Sequence, residues 1–88
     1  MPYEIHLTKR ARRRLDELPE SVRIAILETI AGPLAEIPHR FGHALQSPLG
    51  GQYSARRGEY RIIYRIEEDS RRVFVMTVGH RRDIYRNP

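Results

Sequence analysis

The first chemical signal in this 88-residue chain is a pair of arginines set by a turn. Gly58-Glu59 has the Gly-X pattern of a two-residue type II′ hairpin. Counting outward puts Arg57 opposite Tyr60, Arg56 opposite Arg61, Ala55 opposite Ile62, Ser54 opposite Ile63 and Tyr53 opposite Tyr64. Strand alternation then gives one face to Tyr53, Ala55, Tyr60, Ile62 and Tyr64, and the other to Ser54, Arg56, Arg61, Ile63 and Arg65. Arg56 and Arg61 are like charges set directly across from each other, which destabilises a sheet. An anion between the two guanidinium forks turns that repulsion into a clamp. Without one, both side chains splay into solvent. A second cluster follows downstream, where His80, Arg81, Arg82 and Tyr85 lie within seven residues starting at Gly79. His80 is the titratable group near neutrality there, with an ordinary pKa of about 6.5. It is either a proton-transfer group or an exposed histidine with no duty. Tyr85 is equally placed to belong to the site or to pin the tail by packing.

Charge supports a polyanionic partner. Sixteen basic residues against eleven acidic give +5, and all the basic residues except Lys9 are arginines. Residues 1–51 carry seven basic and six acidic groups, residues 52–88 nine and five, so the positive field belongs to the C-terminal part. The absence of cysteine excludes a disulfide scaffold, a Cys-based zinc site and a thiol nucleophile. The stretch Val73–Val78 is far too short to span a bilayer, and no charged segment followed by an apolar run opens the sequence. The expectation is a soluble cytoplasmic protein with no membrane association, forming a single domain over residues 1–88.

The elements that must position these arginines read as follows. Residues 3–7 alternate as a half-buried strand. Thr8 is an N-cap for a short helix with Ala11, Leu15 and Leu18 at helical spacing, closed by Pro19. Its exposed run Lys9, Arg10, Arg12, Arg13 and Arg14 reads as a solvated face. A second helical stripe runs through Val22, Ile26, Ile30 and Leu34, and Gly32-Pro33 should kink or break it. Residues 38–51, with three prolines or glycines clustered near their end, show no period and read as a loop. Strands follow at 52–57, 60–66 and 71–78, and the chain then leaves through Gly79 as a short turn of helix or a tail. The fold class is α+β: an antiparallel-rich sheet with an N-terminal helical hairpin on one face, in the order β-α-α-β-β-β.

Two stretches carry a family resemblance: YSARRGEYRIIYRI at 53–66 and VGHRRDIY at 78–85. Together they resemble the RelE branch of the RelE/ParE toxin superfamily, and the likeness extends over nearly the whole chain. It implies a toxin of a type II toxin–antitoxin pair that cuts mRNA in the ribosomal A site without metal or other cofactor. The implied partners are a cognate antitoxin, the ribosome and mRNA, with promoter DNA reached through the antitoxin complex. By the same resemblance Arg61 stabilises the phosphate, Arg81 sits near the leaving oxygen, Tyr85 orients the nucleotide and Arg56 stands for a basic residue of the preceding strand. Ser54, Arg65 and Arg82 join them as RNA-binding candidates. The best-known RelE proteins carry two lysines where this chain has Ser54 and Arg56, and arginine is a poor base. His80 is therefore the candidate acid or base, with Glu59 behind it. The alternative is a ParE-like toxin that poisons DNA gyrase by binding. A basic DNA-binding module finds no support in a helix-turn-helix pattern.

Overall fold

The computed structural model describes residues 1–46 and 50–84. Strand β1 (Glu4–Leu7) leads into α1 (Lys9–Asp16) and α2 (Glu20–Thr29), followed by a π-helical turn at Ile30–Leu34, a short α3 (Pro38–Phe41) and a two-residue β2 (His43–Ala44). Strands β3 (Gln52–Arg57), β4 (Tyr60–Glu67) and β5 (Arg72–His80) complete the chain. The five strands form one sheet in the order β1-β5-β4-β3-β2. β1 runs parallel to β5, and every other pair is antiparallel.

Local chemistry explains the helical segment. The Thr8 hydroxyl accepts the Ala11 N–H at 3.1 Å and starts α1. Pro19 caps α2 in an extended conformation, and Pro33 lies within the π turn, where Gly32 leaves helical geometry at φ −99, ψ −105. The lost N–H of Pro33 therefore kinks the second helix where the sequence predicts it. Ala11, Leu15, Ile26, Ile30 and Leu34 bury their apolar stripe against Ala55, Ile62, Tyr64, Val73, Val75 and Val78. The sheet thus has a face covered by helices and an opposite, open face, exposed at Arg56 and Arg65 but closed over Ser54 and Ile63.

The 38–51 stretch departs from the loop expected there, because it contains α3 and β2. Tyr64 ties them to the sheet. Its hydroxyl donates to Pro38 O at 2.7 Å and accepts the Gly42 N–H at 3.0 Å. Burial pushes the Tyr64 pKa up to about 12, so the hydroxyl keeps the proton it donates. A Cβ at Gly42 would lie 2.5 Å from that hydroxyl and 2.7 Å from Ser54 O, so the chain passes here only as glycine. Nearby, Glu68 accepts the Tyr3 hydroxyl at 2.7 Å and meets His39 Nε2 at 2.6 Å, joining the chain start and α3 to the β4–β5 turn. Among the described residues no helix is long and apolar enough to cross a membrane.

Candidate functional site

The hairpin register is the one counted from its turn: Arg56 pairs with Arg61, Ser54 with Ile63 and Tyr53 with Tyr64. Gly58 adopts φ +59 while Glu59 stays at negative φ, as a II′ turn requires. Ala55, Ile62 and Tyr64 are buried beneath the helices, with Tyr53 and Tyr60 packed beside them. Arg56, Arg61 and Arg65 consequently occupy the open face.

Arg56 is exposed on that face, and Arg61 is half-buried. The Arg61 Nη1 is buried with no hydrogen-bond partner among the described residues. A guanidinium donor held out of water and unpaired is costly. The cost disappears when an oxygen of an anion accepts it. Arg61 faces Gly79 on β5, so no side chain of the directly paired residue competes for that anion. Ser54 is only 1% exposed, so it lies within this face rather than at its surface.

The downstream cluster divides between several environments. Strand β5 continues to His80, two residues beyond the expected end, and His80 pairs with Tyr60. Their rings meet edge-on at 5.4 Å. Because Tyr60 packs against the helix-side core, His80 belongs to that side, across the sheet from Arg56 and Arg61. There it lines a cavity of about 280 Å³ with Arg10, Arg14, Tyr60 and Asp83. The Arg82 N–H donates to His80 Nδ1 at 3.1 Å, favouring the tautomer with hydrogen on Nε2. Arg81 is bound twice to the hairpin turn: its N–H donates to Glu59 O at 2.7 Å, and its Nε lies 2.8 Å from Glu59 Oε1. Glu59 thereby holds an arginine, while Arg82 is exposed. Asp83 N and Ile84 N donate back to His80 O at 2.8 and 3.0 Å, closing the expected turn. Tyr85 lies outside the described residues.

The sequence reading missed one imidazole. His43 on β2 pairs with Ser54, so it shares the open face with Arg56 and Arg61, one pleat row from their pair. A two-residue strand has no periodicity to reveal it. His43 is exposed, as the open face requires of a group that exchanges protons with a ligand. No three His, Cys, Asp or Glu side chains among the described residues cluster to hold a metal ion.

A family model described as the ParE toxin of the type II toxin–antitoxin system, parDE, matches residues 5–85. The chain belongs to the RelE/ParE toxin family. It is 44% identical over 86 residues to Toxin RelG of Mycobacterium tuberculosis, covering 98% of this chain and 99% of that protein. Toxin RelE of the same organism is 42% identical over 88 residues, covering 99% of this chain and 91% of that protein. The crystal structure of the M. tuberculosis toxin–antitoxin complex RelBE2 matches with a TM-score of 0.88 at 40% identity, covering 91% of this chain and 99% of that one. These likenesses put the chain in the RelE branch, as a toxin of the type II class.

Proposed function

We propose that this toxin is an endoribonuclease that cuts mRNA in the ribosomal A site, blocks translation and is neutralised by a cognate antitoxin. The observation that carries this reading is the buried Nη1 of Arg61, which has no partner among the described residues, beside Arg56. In the reaction the ribose 2′-hydroxyl loses its proton and attacks the adjacent phosphorus. The bond to the 5′-oxygen breaks, that oxygen takes up a proton, and a 2′,3′-cyclic phosphate remains. The substrate supplies the nucleophile. Arg61 and Arg56 supply the charge that the pentacoordinate phosphate needs, and Arg81 is the candidate for the leaving oxygen. His43 is the imidazole on the phosphate-binding face and the candidate that removes the proton, whereas His80 lies across the sheet from Arg56 and Arg61 and is dispensable for that step. Arg65 and Arg82 bind RNA, and Tyr85 aligns the nucleotide. No cofactor enters this scheme.

The complex formed by the M. tuberculosis relative supports an antitoxin as partner. Promoter DNA, reached through such a complex, belongs to the same proposal. A net charge of +5 favours an acidic antitoxin segment. Ribosome, mRNA and a cytoplasmic location follow from the reaction proposed. The ParE description of the family model favours the second reading, a toxin that binds and poisons DNA gyrase. Primer extension on translated mRNA after toxin induction tests the choice. Cuts inside translated codons are expected. Intact mRNA with gyrase-dependent DNA breaks overturns the nuclease.

A further inference from the structure

The open face carries a second feature beside the arginine pair. His6 on β1 stands opposite Phe74 on β5, and Phe74 stands opposite Arg65 on β4. The His6 and Phe74 rings stack, with centroids 5.2 Å apart and planes 25° from parallel. On the other side of Phe74, the Arg65 guanidinium lies 4.9 Å from the ring centroid. Two stacked rings and a guanidinium over them thus form a column across three strands, and the column ends on Arg65, whose side chain is 44% exposed. Arg65 pairs with Gln52 on β3, so its outer surface meets no aromatic ring from that strand.

Charge on this face selects the ligand. Arg56, Arg61, Arg65 and Arg72 share it with the carboxylates of Glu4 and Glu67. Glu4 is engaged by Arg72 at 3.2 Å and by His6 at 3.0 Å, while Glu67 stands 3.6 Å from Arg65. The positive surplus therefore rests at Arg56 and Arg61. Arg65 follows Arg61 by four residues along β4, roughly 13 Å at the ordinary strand rise. That distance spans no more than about four nucleotide steps at stacked spacing. A strand with its phosphate between Arg56 and Arg61 therefore brings a nearby base to Arg65. A duplex cannot offer that base, whereas a single strand can stack it on a guanidinium plane.

We propose that Arg65, seated over the Phe74 ring that stacks on His6, is a base-stacking subsite for single-stranded RNA, a few nucleotides from the phosphate at Arg56 and Arg61. This deepens the nuclease reading and rests on it for the identity of the ligand. Arg65 supplies the plane, and Phe74 and His6 are positioning residues that fix its orientation.

The test uses the whole toxin and a short 2′-O-methylated RNA, which cannot be cut, carrying the fluorescent base 2-aminopurine at each position in turn. Stacking quenches the fluorescence at one position in the wild type. Arg65→Lys keeps the charge and removes the plane, so the quench disappears and affinity falls about 5- to 100-fold, with the salt dependence unchanged. Phe74→Leu weakens the quench at the same position without loss of folded protein. Arg61→Ala lowers affinity and the salt dependence but keeps the quench. A wild type that quenches at no position, or an Arg65→Lys protein that quenches and binds like the wild type, overturns the subsite. So does an Arg65→Lys protein that loses its antitoxin while quenching normally, because the column is then a protein-docking surface. Failure of the underlying reading looks different: the wild type quenches but leaves mRNA on ribosomes uncut.

Discussion

Arg61→Met separates what the fold gains from Arg61 from what the reaction gains. Methionine keeps most of the apolar stem and removes the buried Nη1 that has no partner among the described residues. Leaving such a donor unpaired costs about 1–3 kcal/mol. Relief of the Arg56–Arg61 apposition adds about 0.2–1 kcal/mol. The variant should therefore be more stable than the wild type by at least about 1 kcal/mol. In an 88-residue chain that raises Tm by about 4–8 °C. Activity moves the opposite way, since losing one charged donor to the transition state costs about 3–4 kcal/mol, or 100- to 1,000-fold in rate. Thermal and urea unfolding read the first effect, and single-turnover mRNA cleavage on programmed ribosomes reads the second. A variant destabilised by more than about 1 kcal/mol would show that Arg61 holds the fold together. Cleavage within tenfold of wild type would remove Arg61 from the phosphate site.

Three further outcomes follow from the geometry. Gly42→Ala forces a Cβ against the Tyr64 hydroxyl and Ser54 O and should cost about 1–3 kcal/mol by urea unfolding; an unchanged midpoint would mean the α3–β2 passage is slack. If His43 is the base, His43→Ala removes a limb of the pH–rate profile while His80→Ala only scales the rate; the reverse pattern returns the role to the helix side of the sheet. Hydrogen bonds from His39 and then Tyr3 hold the Glu68 carboxyl below its ordinary pKa of 4.5. Its folded pKa is depressed, so its contribution is complete above the unfolded value and is lost as pH falls through the folded one. Glu68→Gln should flatten the acid limb of stability below about pH 4.5, and parallel acid unfolding curves would contradict that.

The hairpin was legible because one glycine fixes its register, and register fixes which side chains share a face. Thr8, Pro19 and Gly32-Pro33 likewise act locally, through capping and a missing N–H, so the helical segment could be read from adjacent residues. Long-range pairing hid the rest. β2 owes its existence to β3 and to Tyr64 reaching across to Pro38 and Gly42, not to any pattern in His43–Ala44. The same blindness concealed His43 as a face residue. β5 outruns its apolar stretch because Gly79 and His80 pair with Arg61 and Tyr60, and that extension is what carries His80 to the helix side. An irregularity between Ile63 and Tyr64 shifts the β4–β5 register, which alternation alone does not announce. His6, Phe74 and Arg65 are 68 and nine residues apart in sequence, so only the parallel β1–β5 pairing brings them into one column.

The most direct measurement is cleavage of mRNA on programmed ribosomes by the purified toxin, with a 2′-deoxy sugar placed at the cut site. With the natural ribose, a cut in the A-site codon ending in a 2′,3′-cyclic phosphate is predicted. With the deoxy sugar, no cut is predicted, because the attacking hydroxyl is gone. Equal cleavage of both messages, or no cleavage of either, would contradict the arginine face as a nuclease site.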